Sequence, residues 1–138
     1  MTFGYNLPPI VVDASAAIEF LAGDPGWSDN FVEWAKSERA LLAPVHFPAE
    51  VANGQLKGRR LAVTTIIGAL DRLAAAGIET TDRGTRGLIE SIALANQHSL
   101  TVYDALYLQL ALDVDGELAT LDADLRRAAM AEGLPIVS

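Results

Sequence analysis

Short apolar runs alternate along this chain with longer segments that have the apolar spacing of helices. The predicted strands cover residues 10–12, 41–43, 78–81, 118–121 and 135–137. The predicted helices cover residues 14–21, 27–38, 48–56, 63–76, 85–97, 102–112 and 123–132. Because short connections join strand to helix to strand, this alternation predicts an α/β domain with a mostly parallel sheet and helices on both faces.

Length and composition predict one folded domain and exclude several classes of protein. With 138 residues, 51% of them hydrophobic, the chain is long enough to bury a core and too apolar for a disordered tail. The absence of cysteine excludes a disulfide scaffold, a cysteine-based metal site and a thiol nucleophile. We expect an extended N-terminal arm over residues 1–9, which contain Pro8 and Pro9, and a single domain over residues 10–138.

The same features bear on where the protein acts. Residues 1–9 contain no Lys or Arg and no long apolar run, so they do not have the pattern of a secretory signal. The longest apolar runs elsewhere are short and interrupted by polar residues, which predicts no membrane span. We therefore expect a soluble, cytoplasmic protein.

The net charge limits the partners. Ten basic residues against 18 acidic ones give a formal charge of -8, which on average repels phosphate backbones. The acidic side chains either form a solvated surface, or some of them cluster to hold divalent cations or a basic partner. Only their positions along the chain discriminate between these two alternatives.

Four acidic residues lie at predicted helix starts. Asp13 ends the first strand, Asp122 follows the fourth, and Glu50 and Asp104 lie in the first turns of their helices. Taken singly, each is explained as a helix cap or as a charge that complements the helix dipole. Taken together, all four lie at helix starts and two of them directly follow strands, and the carboxyl ends of parallel strands form the ligand-binding edge of such a sheet. The four carboxylates can therefore share one crevice.

Carboxylates gathered in one crevice repel each other and need a countercharge. The chain has no cysteine, and its two histidines, His46 and His98, have no partner at a metal-binding spacing. An oxygen-rich site of this kind suits Mg²⁺ or Mn²⁺ better than zinc. The residue types therefore predict a hard divalent cation.

Four stretches that contain these acids resemble, in order, the motifs of PIN-domain ribonucleases, and specifically of VapC-type toxins from toxin–antitoxin pairs. The stretches are VVDASAAIEFL, PAEVANGQLKG, TVYDALYLQLAL and LATLDADLRRAA. The resemblance covers nearly the whole chain after Pro9. It implies a three-layer α/β fold with a five-stranded parallel sheet of order 3-2-1-4-5. It also implies a homodimer, a divalent-metal-dependent endoribonuclease activity, and a cognate antitoxin as partner.

The resemblance also gives expected roles to individual residues. The expected catalytic acids are Asp13, Glu50, Asp104 and Asp122. The first, third and fourth of these are the expected metal ligands, and Glu50 is expected to bind a second ion or to position water. The residues expected to support the ligand carboxylates are Ser15, Asn53, Thr120 and Asp124. Asp124 competes with Asp122 for the role of fourth acid, and we favour Asp122 because it directly follows its strand.

A basic cluster lies at the end of the helix that carries Glu50. It consists of Lys57, Arg59 and Arg60. We expect these cations to bind RNA phosphates that flank the cleaved bond. The alternative is that they only complement the C-terminal end of the helix dipole.

An aromatic stripe lies on the predicted second helix. Trp27, Phe31 and Trp34 are spaced i, i+4, i+7, so they share one helix face. Such a stripe either packs into the core or lines a partly open groove that takes a segment of the antitoxin. The sequence leaves both alternatives open, and antitoxin binding is the functional expectation.

Two other function classes compete with the ribonuclease. An aspartyl phosphatase usually has a second acid two residues after the first, but position 15 of this chain is Ser. Such an enzyme also needs a well-placed lysine, and the only lysines here are Lys36 and Lys57. A non-catalytic binding module with the PIN fold would act through its protein partner. The presence of all four acids argues against a decayed site, and Mn²⁺ binding would discriminate between the alternatives.

Overall fold

The computed structural model describes residues 7–137. The expected N-terminal arm over residues 1–9 therefore lies largely outside the described residues, and residues 7–9 contain no regular secondary structure. The division into an arm and a single domain over 10–138 stays a prediction. Within residues 7–137, no helix is both long and apolar enough to span a membrane.

Five parallel strands form one sheet in the order β3-β2-β1-β4-β5. They are β1 (Ile10–Val12), β2 (Leu41–Pro44), β3 (Ile78–Thr81), β4 (Glu117–Ala119) and β5 (Ile136–Val137). Val11 of the central strand pairs with Leu42 on one side and with Leu118 on the other. All three residues of β1 are fully buried. Because successive side chains point to opposite faces, both faces of the sheet are covered, which confirms the predicted three-layer α/β fold.

Seven helices occur within the described residues. They are α1 (Ala14–Leu21), α2 (Pro25–Lys36), α3 (Phe47–Asn53), α4 (Val63–Ala75), α5 (Gly84–His98), α6 (Val102–Asp113) and α7 (Ala123–Ala131). Helix α6 packs against β1, β2 and β4, and α7 packs against β5. The predicted elements are all present, and most of their ends agree to within one or two residues.

Three element ends differ from the sequence prediction for local reasons. Helix α2 begins two residues early, because the Asp24 carboxylate accepts a hydrogen bond from Trp27 N over 3.0 Å and Pro25 suits the first helical position. The helix predicted over 48–56 ends at Asn53, and a π-helical turn (Gly54–Gly58) follows it. Strand β4 ends at Ala119. Thr120 N still donates to Val137 O of β5, but the N–H groups of Leu121 and Asp122 donate to side chains and not to the sheet.

The aromatic stripe of α2 belongs to the core. Trp27, Phe31 and Trp34 are only 5–6% exposed. The Phe31 ring stacks on Phe20 with a centroid separation of 4.0 Å, and the Trp34 ring lies 4.9 Å from Phe31. These contacts correct the expectation of a partly open groove for the antitoxin, since the side chains are covered by their own chain.

Candidate active site

The site lies at the carboxyl edge of the sheet, where β1 and β4 end side by side. Asp13, the first residue after β1, is 4% exposed. Its Oδ2 atom accepts hydrogen bonds from Ser15 Oγ over 2.6 Å and from Thr120 Oγ1 over 2.7 Å. Asp13 makes no side-chain bond that caps α1, so its carboxylate is held by the two hydroxyls and not by the helix.

The same two hydroxyls fix the loop between β4 and α7. Ser15 Oγ accepts a hydrogen bond from Leu121 N over 3.0 Å, and Thr120 Oγ1 accepts one from Asp122 N over 3.0 Å. Each hydroxyl therefore uses its hydrogen for Asp13 and a lone pair for the loop. The network ties the position of Asp122 to that of Asp13.

The four acids influence one another electrostatically. Partial burial and the negative charges of Asp122, Asp13 and Glu50 together raise the pKa of Asp104 to about 6, against a lowering contribution from Thr101. Burial also raises the pKa of Asp13, although the hydrogen bonds from its two hydroxyl partners oppose the rise. The fold therefore concentrates negative charge at this edge.

Glu50 lies in the first turn of α3, on the other side of the cluster. Its Oε1 atom accepts a hydrogen bond from the Tyr107 hydroxyl over 2.7 Å. His46 Nε2 lies 3.1 Å from the same oxygen, in a direction that is not that of a hydrogen bond. Burial alone would raise the pKa of Glu50, but contacts with His46 and Tyr107 outweigh it, so the pKa lies below its ordinary value.

Two of the predicted supporting residues lie outside this cluster. The Asp124 side chain is 72% exposed, and its carboxylate lies 3.5 Å from Arg127. Asn53 is exposed at the end of α3, and within residues 7–137 its side chain makes no hydrogen bond to an acid. Asp122, by contrast, caps α7 by accepting a hydrogen bond from Leu125 N over 2.8 Å while it also acts on Asp104. The structure therefore brings Asp122 into the cluster and leaves Asp124 out.

The cluster has the donor chemistry of a site for a hard dication, because all of its gathered acids offer carboxylate oxygens. Within residues 7–137, however, no three His, Asp or Glu side chains converge closely enough to hold a metal ion as they stand.

The basic cluster is fully on the surface. Lys57 lies in the π-helical turn, and Arg59 and Arg60 follow it, all of them exposed. Arg59 forms an ion pair with Glu19 of α1, so part of its charge is already compensated. Arg60 has a left-handed backbone with φ of 55°. Within residues 7–137, Lys57 and Arg60 are exposed and have no ion-pair partner, so their charges are available to an anion.

Sequence reasoning did not predict that Tyr107 and His46 contact Glu50. Tyr107 lies three residues after Asp104, and His46 lies four residues before Glu50, so each shares a helix face or turn with a predicted acid. This spacing was the available signal. Neither spacing by itself predicts that the two side chains meet at one carboxylate, because the two segments are far apart in sequence.

A model of the PIN domain family matches residues 10–130 of the chain. The chain belongs to the PIN-domain family. This PIN domain is 34% identical over 128 residues to "Ribonuclease VapC3" of Mycobacterium tuberculosis (strain CDC 1551 / Oshkosh), an alignment that covers 88% of the chain and 89% of that protein. The relationship confirms the resemblance to VapC-type toxins that the four sequence motifs indicated.

Solved structures share the fold of this PIN domain. PAE2754 from Pyrobaculum aerophilum superimposes with a TM-score of 0.70 at 24% identity, over 94% of this chain and 90% of that one. VapBC2 from Rickettsia felis, solved bound to a DNA fragment from its promoter, gives a TM-score of 0.69 at 16% identity, over 93% and 96% of the two chains. These two structures therefore share the fold of this PIN domain at low sequence identity.

Proposed function

We propose that this PIN domain is the toxin of a toxin–antitoxin pair and a divalent-metal-dependent endoribonuclease. The observation that carries the proposal is the gathering of Asp13, Glu50, Asp104 and Asp122 at one edge of the sheet, where each carboxylate affects the pKa of Asp104. The relative VapC3 is named a ribonuclease, which supports RNA as the substrate of this chain.

The residues present fit Mg²⁺ or Mn²⁺ as cofactor. Asp13, Asp104 and Asp122 would hold the ion, directly or through water. When bound, such an ion lowers the pKa of a water molecule and neutralises charge that develops on the phosphate. Ser15 and Thr120 keep the Asp13 carboxylate in a fixed orientation, as partners of metal-ligating side chains commonly do.

The remaining roles follow from charge and position. Glu50, at the opposite side of the cluster, would orient the attacking water or bind a second ion. Lys57 and its neighbours Arg59 and Arg60 would hold RNA phosphates, which offsets locally the repulsion from a net charge of -8. The product is an RNA chain cut by hydrolysis of one phosphodiester bond.

We also propose a cognate antitoxin as the partner, a homodimeric toxin, and action in the cytoplasm. The likeness in fold to VapBC2 of Rickettsia felis supports the partner. The surface offers apolar area for such contacts, since large apolar side chains of α4 and α5 stay exposed. They are Val63, Ile67, Leu88, Ile89 and Ile92.

The first experiment measures cleavage of RNA by the purified chain with Mg²⁺, with Mn²⁺ and with EDTA. We expect cleavage only with the metals. Asp13→Asn and Asp104→Asn should abolish cleavage while the circular dichroism spectrum stays unchanged. Asp124→Asn removes the same charge from a side chain outside the cluster, so it should keep its activity. Full activity in Asp13→Asn would contradict the proposal.

The second experiment expresses the chain alone and together with the product of its neighbouring gene. Growth arrest that this product relieves, and that Asp13→Asn prevents, would support the toxin–antitoxin assignment. A chain that neither binds Mn²⁺ nor cleaves RNA would instead favour a non-catalytic binding module. Formation of a phospho-enzyme would favour the aspartyl phosphatase.

A further inference from the structure

Glu50 is held through only one of its two carboxylate oxygens. The hydroxyl of Tyr107, a residue that is fully buried, donates to Glu50 Oε1 over 2.7 Å. Burial and the neighbouring acids raise the pKa of Tyr107, so its hydroxyl keeps its proton and remains a donor. Within residues 7–137, Glu50 Oε2 receives no hydrogen bond from a side chain.

His46 completes this one-sided arrangement. Its Nε2 atom lies 3.1 Å from the same Glu50 Oε1, and neither ring nitrogen has a hydrogen-bond partner within the described residues. The His46 ring meets Tyr107 edge-on, with centroids 5.2 Å apart, and lies 5.6 Å from the Tyr103 ring. Two side chains from different segments therefore contact one oxygen of Glu50.

We propose that Tyr107 is a positioning residue that anchors Glu50 by Oε1, with the His46 ring in contact with the same oxygen, so that Oε2 is the oxygen that accepts a hydrogen bond from the attacking water. The inference rests on the proposed ribonuclease function. A free glutamate side chain samples many rotamers, and fixing it in the folded protein before substrate binds removes that entropic cost from the reaction. Tyr107 acts in this way through Glu50 and does not contact the substrate.

The decisive variant is Tyr107→Phe, which removes only the hydroxyl. We expect kcat to fall about 10–100-fold, as is usual when a supporting partner of a site residue is lost, with little change in KM. In a Glu50→Gln background the same substitution should have no further effect, because the anchored carboxylate is already gone.

Ser91→Ala is the matched control, since it deletes another fully buried hydroxyl, which donates to Gly87 O over 2.9 Å within α5. It should lower stability without a change in kcat. A second readout does not depend on activity: the carboxyl ¹³C resonance of Glu50, at fixed neutral pH and without metal, should shift in Tyr107→Phe and not in Ser91→Ala.

The outcomes separate this inference from the proposed function. The positioning role would be overturned if Tyr107→Phe kept the kcat of the wild type. It would also be overturned if Tyr107→Phe lowered kcat equally in the wild-type and in the Glu50→Gln background. If the wild-type chain does not cleave RNA at all, the proposed function fails. An unshifted Glu50 resonance in Tyr107→Phe would independently overturn the anchoring of the carboxylate.

Discussion

Thr120 Oγ1 donates a 2.7 Å hydrogen bond to Asp13 Oδ2, although 107 positions of sequence separate the two residues. The bond joins the ends of β1 and β4, and it holds a carboxylate that burial makes costly to ionise. The position of Asp13 therefore depends on a hydroxyl that only the complete fold supplies.

Replacing Thr120 with Val should separate the contribution of the hydroxyl from that of the side-chain shape. Thr120→Val keeps the buried volume but removes one donor from Asp13, so we expect cleavage to fall about 10–100-fold. Unfolding should become easier by about 1–3 kcal/mol, the usual cost of a buried group left without its partner. Kinetic assays and urea denaturation measure both effects. Thr120→Ser should restore most of the activity, and equal activity of the Val and Ser variants would contradict this role.

The raised pKa of Asp104 predicts a pH dependence of stability in the absence of metal. Because its pKa is about 6 in the fold and 3.8 ordinarily, the folded chain binds this proton more tightly than the unfolded chain. The free energy of unfolding therefore falls as pH rises from about 4 to about 6, and the loss persists above that range. Asp104→Asn removes the charge and should be the more stable protein above pH 6, by about 1–2 kcal/mol after allowance for solvent screening.

Thermal denaturation of both proteins without metal, at several pH values, measures this difference. The two proteins should converge below pH 4, where the carboxyl is protonated in both states. Addition of Mg²⁺ should raise the midpoint of the wild type more than that of Asp104→Asn. A difference that does not change with pH would show that the carboxyl is not perturbed.

Lys57 is expected to contact RNA phosphate. Lys57→Gln should weaken binding of RNA to a catalytically inactive variant such as Asp13→Asn, and it should reduce the slope of log K against log salt by about 0.7–1. Lys36→Gln is the matched control, because Lys36 is exposed at the end of α2, towards the opposite edge of the sheet. Fluorescence anisotropy at several salt concentrations measures both slopes. Equal slopes would place Lys57 outside the RNA interface.

The aromatic stripe of α2 should contribute to stability, as its burial requires. Trp34→Ala should lower the free energy of unfolding by about 3–5 kcal/mol, because it leaves a large cavity next to Phe31. Val32→Ala, on the exposed side of the same helix at 54% exposure, should change it by no more than about 0.5 kcal/mol. Chemical denaturation compares the two. If the Trp34→Ala protein had the stability of the wild type, the burial of Trp34 in the core would be contradicted.

Much of the fold was predictable because local signals agreed with the global architecture. The bounds of β1 and α1 follow from a β-branched run that ends at an acid and an alanine-rich segment that ends before Gly23. The sheet order came from the resemblance, since alternation alone does not order parallel strands. No local pattern predicted the π-helical turn, whose first residue, Gly54, lies so close to Ile18 of α1 that an added Cβ would clash with it.

The acids of the candidate site were predictable from the sequence, whereas the side chains that hold these acids in place were less so. Asp13 and Asp122 follow strands, so topology brings them to one edge. The contact between Tyr107 and Glu50 joins segments whose meeting no local pattern encodes. The aromatic stripe had the same periodicity whether it faced the core or a partner, so only the fold could decide between the two.

The assembly of the site from distant segments has a consequence for biosynthesis. Asp13 is synthesised 107 positions before Thr120, which donates a hydrogen bond to it. A nascent chain that has not yet reached the loop between β4 and α7 therefore lacks both this hydroxyl and Asp122. The acidic cluster can form only after that loop has been synthesised.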